Sequence, residues 1–337
     1  MTSTDDPSAP ATLRDPANST PTGRVSRLAP SPTGALHLGN ARTFLVNWAL
    51  ARQRGWRLVM RIEDLDSPRV KDGAERDALD VLAWLGVDYD GTPFVQSQHL
   101  DDYWSALVEL SRGSSVFRCD LTRREVEAAA SAPHLGDHET RYVPELRPTD
   151  PAAYQPVSRL ANYRLRVDAA AVTVEDRVAG AVVCDPGQEV GDFLLWTKRG
   201  VPSYQLAVVI DDVRQHVTDV VRGVDLLPSA ARQTLLYRAL GAPTPTWWHL
   251  PLVIGEDGRR LAKRHGDSRV AHYRDLGIAP TRVVGLLAHW CGLSGPLREL
   301  DAATFLRSFD IEALPRTPIV FDAAAEAWLL GGTTRSL

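Results

Sequence analysis

The residues best suited to chemistry lie in the stretch from Arg27 to Asn40, RLAPSPTGALHLGN. Pro30, Pro32 and Gly34 forbid regular structure and impose a tight crossing. The residues from His37 to Asn40 then open a helix that runs through Phe44, Leu45, Trp48 and Ala49 to a stop at Gly55. A strand, a glycine-bearing turn and a helix N-terminus make an anion site, because backbone N–H groups and the helix dipole converge there. His37 is expected to add a donor, and Gly39 leaves room for a flat group to lie against the backbone. Far downstream, Arg260, Leu261, Ala262, Lys263 and Arg264 form a basic loop, and Gly266 just beyond would let it move. Lys263 is a point charge of the kind that approaches phosphates.

A second set of residues suits a dicarboxylate that carries an ammonium. Arg27 can pair with a carboxylate in bidentate fashion. Glu63 can accept from the ammonium, Arg222 can take the other negative charge, and Tyr204 can donate a hydrogen bond. All four fall at expected strand boundaries facing one crevice. Asp64 and Asp66 follow Glu63 and are read as turn and cap residues.

The elements that must position these groups follow from pattern. Val25 to Leu28 reads as a strand, and Leu58 to Ile62 as a strand buried on both faces. Strand, helix, strand opens a doubly wound, Rossmann-type α/β fold, whose ligands bind beyond the carboxyl ends of the strands. Ser67 and Pro68 are expected to start a helix with Ala78, Val81, Leu82 and Leu85 on one face, closed by Gly86. Ser97 is expected to cap another, carrying Leu100, Trp104, Leu107 and Val108. Thr122 and Glu125 have capping-box spacing.

Strands are expected at 163–167, 172–178 and 193–197. The segment 203–212, a continuous apolar run ending in Asp211 and Asp212, reads as a buried strand that returns to the main sheet. Strands at 217–221 and 248–254 follow, with a helix from Pro228 to Gly241 between them and a turn at 256–258. Short helices are expected at 280–290, 301–309 and 322–330. The expected organisation is a disordered leader (1–23), the first half of the nucleotide fold (24–115), an α+β insertion (116–201), the second half with the basic loop (202–268), and a short helical region (269–337).

Composition sets further bounds. The chain has 337 residues and a formal net charge of -4, so RNA binding would require locally gathered positive charge. Arg123 with Arg124, Arg164 with Arg166, and the Arg259 to Arg264 cluster are the candidates. No membrane-spanning apolar run or signal peptide is present. The three cysteines, Cys119, Cys184 and Cys291, are far apart and suggest neither a disulfide framework nor a CxxC metal site, which points to a reducing cytoplasm.

The string from Arg27 to Asn40 resembles the HIGH signature of class I aminoacyl-tRNA synthetases, in the form typical of the glutamyl branch. The Arg260 to Arg264 loop resembles their KMSKS loop. The resemblance covers about residues 24–330. It implies ATP and L-glutamate as substrates, with a Mg²⁺ ion bridging the phosphates. It implies His37 and Lys263 as catalytic residues. It places Arg27, Ala29, Ser31, Glu63, Tyr204 and Arg222 on glutamate, and Pro30, Gly34, His37, Gly39, Asn40, Lys263 and Arg264 on ATP.

Phe321, Asp322, Trp328 and Leu329 resemble the start of a stem-contacting region, after which an anticodon-binding domain is expected to be missing. In this the chain resembles the glutamyl-queuosine tRNA(Asp) synthetase family, truncated paralogues that esterify queuosine in the anticodon of aspartate tRNA. That family activates glutamate without needing tRNA. The expected partner is then aspartate tRNA bearing queuosine, and the expected state a monomer. A truncated synthetase charging a tRNA 3′ end, or a non-catalytic glutamate- or tRNA-binding regulator, is the alternative reading. The family often carries zinc in the insertion. Here Cys119 matches the first cysteine but Leu121 takes the second position, and the later stretch offers His134, His138 and Tyr142 but no cysteine; a Cys119, His134, His138 site is the weak alternative, and unpaired surface histidines are the expectation.

Overall fold

The computed structural model describes residues 23–32, 36–65, 73–122, 124–126, 141–168, 171–259, 261 and 268–331. Expectations that fall on Gly34, Asp66, Ser67, Pro68, Arg123, His134, His138, Arg260, Lys263, Arg264 and Gly266 therefore lie outside the described residues.

The chain opens with β1 (Val25–Leu28), α1 (Leu38–Gln53) and β2 (Arg57–Ile62). α2 (Ala74–Trp84), β3 (Phe94–Val95) and α3 (Leu100–Ser111) follow. β4 (Val116–Arg118), β5 (Tyr163–Leu165), β6 (Val172–Asp176), β7 (Gly180–Cys184), β8 (Leu194–Thr197) and β9 (Val201–Pro202) come next. α4 (Tyr204–Arg214), β10 (Asp219–Gly223), α5 (Leu227–Ala239), β11 (Thr246–Leu250) and β12 (Val253–Gly255) complete the central fold. The C-terminal part holds α6 (Val270–Asp275), α7 (Pro280–Trp290), α8 (Ala302–Ser308), β13 (Ile319–Phe321) and α9 (Ala323–Leu329).

Seven strands form the central sheet in the order β3-β2-β1-β10-β11-β6-β7, parallel throughout except for the β6–β7 hairpin. Strand order reverses between β1 and β10, so a crevice must open at their carboxyl ends. β1 is buried along its whole length, including Ser26 and Arg27. Ser26 Oγ donates to the carbonyl of Asp219 (2.9 Å) and contacts Asn47 Oδ1 (2.8 Å), while Asn47 Nδ2 donates to the carbonyl of Arg27 (2.9 Å). These bonds lock α1 onto the strand that precedes it. The far side of α1 packs on the C-terminal helices: Leu45, Val46 and Ala49 share one core with Val284, Leu287 and Phe305.

A separate four-stranded antiparallel sheet, β4-β5-β8-β9, comes from the middle of the chain, but β6 and β7 from the same region join the central sheet. Register explains this: Asp176 pairs with Trp247 of β11, and the hairpin caps the sheet edge.

The segment 203–214 departs from expectation. It is the helix α4, not a strand. The Ser203 side chain accepts from the Leu206 N–H (3.4 Å) as an N-cap, and Leu206 to Ile210 are buried on every side. A helix enclosed all round reads as an unbroken apolar run, and the pair Val208–Val209 with Ile210 imitates a strand. The helix after β3 also starts differently. Residues 96–99 form a 3₁₀ turn, and Ser97, instead of capping, donates from its N–H (2.8 Å) and Oγ (2.5 Å) to Asp64. The expected strand at 248–254 breaks at Pro251 into β11 and β12. The Thr122–Glu125 capping box forms in both directions: the Thr122 N–H donates to Glu125 (2.6 Å), and the Glu125 N–H to Thr122 Oγ1 (3.3 Å).

Candidate active site

At the β1/β10 crevice lies a cleft of about 310 Å³. It gathers Arg27 and Ala29 from the end of β1, Glu63 from beyond β2, Tyr204 from the first turn of α4 and Arg222 from β10. His37, Gly39 and Asn40 line its other side. Arg27 and Arg222, 195 positions apart, are thus brought to one place by the sheet. Pro30 and Ser31 follow β1 but are not among the lining residues; the Pro30 carbonyl instead accepts from the Glu63 N–H (3.1 Å).

The helix start is more committed than its sequence suggests. His37 is the N-cap of α1, and its Nδ1 accepts from the Asn40 N–H (3.3 Å). The Leu38 N–H donates to the carbonyl of Ser268 (2.9 Å). Among the described residues this leaves the Gly39 N–H as the amide of the first turn without a partner. A neutral imidazole that accepts at Nδ1 carries its proton on Nε2. That leaves Nε2 as the ring nitrogen on which His37 can carry a donor. A Cβ on Gly39 would stand 3.1 Å from the His37 ring, so glycine is what lets the ring lie across the helix start.

Ser268 also fixes the neighbourhood of the basic loop. Besides that bond, Val270 N–H donates to Leu36 (2.8 Å), and His37 bridges to Arg269. On the other flank, the Leu261 N–H reaches the carbonyl of Val253, a cleft residue (3.4 Å). Both flanks of residues 262–267 are thus pinned beside the α1 N-terminus.

Beneath the cleft lies a buried charge network that sequence reading did not foresee. Arg61 pairs with Asp212, with Glu63 Oε1 at 3.7 Å and Asp211 Oδ2 at 3.8 Å. Arg27 Nε lies 3.5 Å from Asp212 Oδ1, and Tyr237 donates to Asp212 Oδ2 (2.9 Å). Burial disfavours the Arg61 cation, but Asp212, Asp211 and Glu63 together raise its pKa. Burial pushes the Glu63 carboxyl up, against the pull of Arg61 and Arg27. Asp211, which accepts from Gln96 (2.7 Å) and Tyr103 (2.9 Å), is driven by burial up to about 7.

Arg222 is held differently. Its guanidinium donates to His249 Nε2 (2.9 Å), Gln233 Oε1 (2.9 Å) and the Leu226 carbonyl (3.2 Å), and stacks over the Trp247 ring at 4.9 Å.

Further lining residues went unrecognised in the sequence: Thr43 and Phe44 of α1, Asp225 after β10, and Pro251, Leu252 and Val253 after β11. The rule that ligands sit beyond strand carboxyl ends would have found the last three once β11 was seen to stop at Leu250.

Of the arginines read as candidate RNA contacts in the middle region, Arg124 and Arg166 are exposed and Arg164 is partly buried. Arg164 donates to the Asp192 carbonyl (2.7 Å) and stacks over Tyr142, and Arg166 pairs with Asp168 at 2.5 Å. Cys119 is buried with Phe117, Val126 and Tyr142 in a small apolar cluster. No group of metal-ligand side chains occurs among the described residues. No helix among them is long and apolar enough to cross a membrane.

Comparison with known proteins agrees with the geometry. The family described as tRNA synthetases class I (E and Q), catalytic domain, matches residues 24–324. The chain is 45% identical over 298 residues to a Glutamyl-Q tRNA(Asp) synthetase of Rhodopirellula baltica, covering 85% of this chain and 89% of that one. It is 36% identical to a Glutamate--tRNA ligase of Nitrosomonas europaea over 90% of this chain, but spans 65% of that protein. The solved glutamate-tRNA synthetase of Elizabethkingia anophelis superimposes with a TM-score of 0.77 at 25% identity, over 94% of this chain and 71% of the other.

Proposed function

The chain belongs to the class I tRNA synthetase family of the glutamate and glutamine type, and on that premise we propose that it activates L-glutamate with ATP and transfers it to queuosine in the anticodon of aspartate tRNA. The observation that carries the activation step is the single cleft holding Arg27, Glu63, Tyr204 and Arg222 against the His37–Asn40 helix start. Similarity supports the acceptor: the chain is 45% identical to a Glutamyl-Q tRNA(Asp) synthetase and 36% identical to a Glutamate--tRNA ligase.

Activation is attack by the glutamate α-carboxylate oxygen on the α-phosphorus of ATP. A phosphorus–oxygen bond forms to the carboxylate, the bond to the bridging oxygen breaks, and pyrophosphate leaves. The protein must align two anions and stabilise charge on the phosphate oxygens. The Gly39 N–H, at the positive end of α1, and His37, its N-cap, are assigned to that role. Lys263 lies two residues beyond the pinned Leu261 and would bring its ammonium to the same phosphates.

The attacking carboxylate must stay free to react, so the strongest clamp belongs on the other one. Arg222 is assigned to the side-chain carboxylate. Arg27, partly neutralised by Asp212, steers the α-carboxylate, and Glu63 with Tyr204 holds the ammonium end. Mg²⁺ would supply charge neutralisation on the leaving phosphates. The described lining offers only Glu63 and Asp225 as carboxylates, and Glu63 faces Arg61, so the ion fits as one carried in on the nucleotide.

The test is transfer of labelled glutamate to aspartate tRNA prepared with and without queuosine. Periodate oxidation of the 3′ terminus, with the queuosine diol protected, distinguishes the acceptors. Label that needs queuosine and survives loss of the 3′ diol is expected. Label on glutamate tRNA that vanishes with the 3′ diol would make the chain a conventional charging enzyme.

A further inference from the structure

Three buried arginines underlie the cleft, and they are compensated differently. Arg61 meets three carboxylates and Arg27 meets Asp212. Arg222, only 5% exposed, makes no ion pair with a carboxylate among the described residues. Its three acceptors, His249 Nε2, Gln233 Oε1 and the Leu226 carbonyl, are all neutral.

Each acceptor is fixed from behind. Because Arg222 Nε donates to His249 Nε2, that nitrogen carries no proton, so Nδ1 does and donates it to Asp176 Oδ2 at 2.6 Å. Asp176 is itself oriented by the backbone N–H groups of Val178 (2.8 Å), Ala179 (2.7 Å) and His249 (3.0 Å). Gln233 has its amide orientation set by a second chain. Its Nε2 donates to Gln205 Oε1 (2.9 Å), and Gln205 Nε2 contacts Ser229 Oγ (3.0 Å). Asp176 thus polarises the support of Arg222 from one residue away without neutralising it.

We propose that His249 and Gln233 are positioning residues that set side-chain specificity, holding Arg222 through neutral acceptors so that no directly bonded carboxylate competes with an anionic substrate side chain. A buried cation without a direct ion pair is costly, and a substrate carboxylate lowers that cost where a carboxamide of the same shape does not. The preference for glutamate over glutamine is then built into what surrounds the arginine, as much as into the arginine itself. The inference rests on the reading of the cleft as a glutamate site.

The experiment is ATP–pyrophosphate exchange by the full chain, with glutamate and with glutamine, in wild type, Gln233→Glu and His249→Gln. Glutamate-dependent exchange by wild type tests the functional reading by itself. Gln233→Glu keeps the shape and puts a carboxylate on Arg222. It is expected to raise the glutamate KM by about tenfold or more, the effect of altering the partner of a buried charge. The ATP KM should hold, and the glutamate-to-glutamine preference should fall. His249→Gln offers a neutral amide oxygen to Arg222 and should keep that preference. A folded Gln233→Glu with unchanged glutamate KM and preference, or with both KM values rising together, overturns the proposal. Nitrogen NMR of the unliganded wild-type protein needs neither activity nor a variant. A neutral His249 protonated on Nδ1 supports the proposal, and an imidazolium or an Nε2-protonated ring at neutral pH overturns it.

Discussion

At the scale of single residues, the cleft depends on how Arg222 is held. Lysine at that position is a point charge and cannot serve His249, Gln233 and the Leu226 carbonyl while also forking onto a carboxylate. Arg222→Lys is expected to lower kcat/KM for glutamate in pyrophosphate exchange by about 100-fold, a loss of transition-state stabilisation of roughly 2.7 kcal/mol, with the ATP KM little changed. His249 brings a pH dependence. Burial lowers its pKa below the ordinary 6.5, and the facing cations Arg222 and Arg27 lower it further against the pull of Asp176. In acid the unfolded chain takes up this proton before the folded one does. Stability from His249 is therefore complete above 6.5 and falls as pH drops below it toward the depressed folded value. In the site, a proton on Nε2 would face the Arg222 Nε–H. The glutamate KM is expected to rise on the acid side while the ATP KM does not follow, and His249→Gln should flatten that rise.

At the scale of elements, two junctions decide whether the cleft exists. The first is the meeting of α4 with β2. Arg61 is wholly buried against Asp211 and Asp212, and breaking such a network leaves carboxylates unpaired in the interior. Arg61→Met is expected to destabilise the protein by about 3–5 kcal/mol, measured by denaturant unfolding. The second is α7 against the segment that follows it. A Cβ on Gly285 would stand 2.0 Å from the Arg298 carbonyl oxygen, a backbone atom with no room to yield. Gly285→Ala is expected to cost about 1–3 kcal/mol by overpacking, despite the better helix propensity of alanine. Since α7 supports α1, the same variant should also raise the KM for ATP.

At the scale of the molecule, the C-terminal helices and the nucleotide fold share one core. Leu286, Leu287 and Phe305 are fully buried together with Leu38, Leu45 and Leu50 of α1. Arg42 of α1 adds a polar tie, donating to the carbonyls of Pro251 (2.8 Å) and Trp290 (3.3 Å). Removing residues 280–331 would expose the back of α1. The shortened chain is expected to lose cooperative unfolding, as followed by circular dichroism, and with it ATP binding. On the proposed function, the protein is expected to catalyse glutamate-dependent pyrophosphate exchange in the absence of any tRNA.

How far the sequence reached follows from the range of the forces involved. The helix start at His37, the capping box at Thr122 and the three late helices rest on local backbone chemistry: N-caps and apolar spacing. Those features were legible. Arg27, Glu63, Tyr204 and Arg222 could be picked out as one charge set and do line one cleft, but Tyr204 reaches it from the first turn of a helix and not from a strand end. Only the tertiary structure could decide that the segment 204–214 is a helix, because complete enclosure erased its period. Only the sheet could bring Asp176 to His249 and His249 to Arg222. These contacts link β6, β11 and β10, and they exist because parallel register sets Asp176 opposite Trp247 and Arg222 opposite His249. The clamp of Ser268 on Leu38 is of the same kind, a bond across 230 positions that no local pattern encodes. Residue chemistry is written position by position along the chain. The partner that aims each group is chosen by packing, which depends on every element at once.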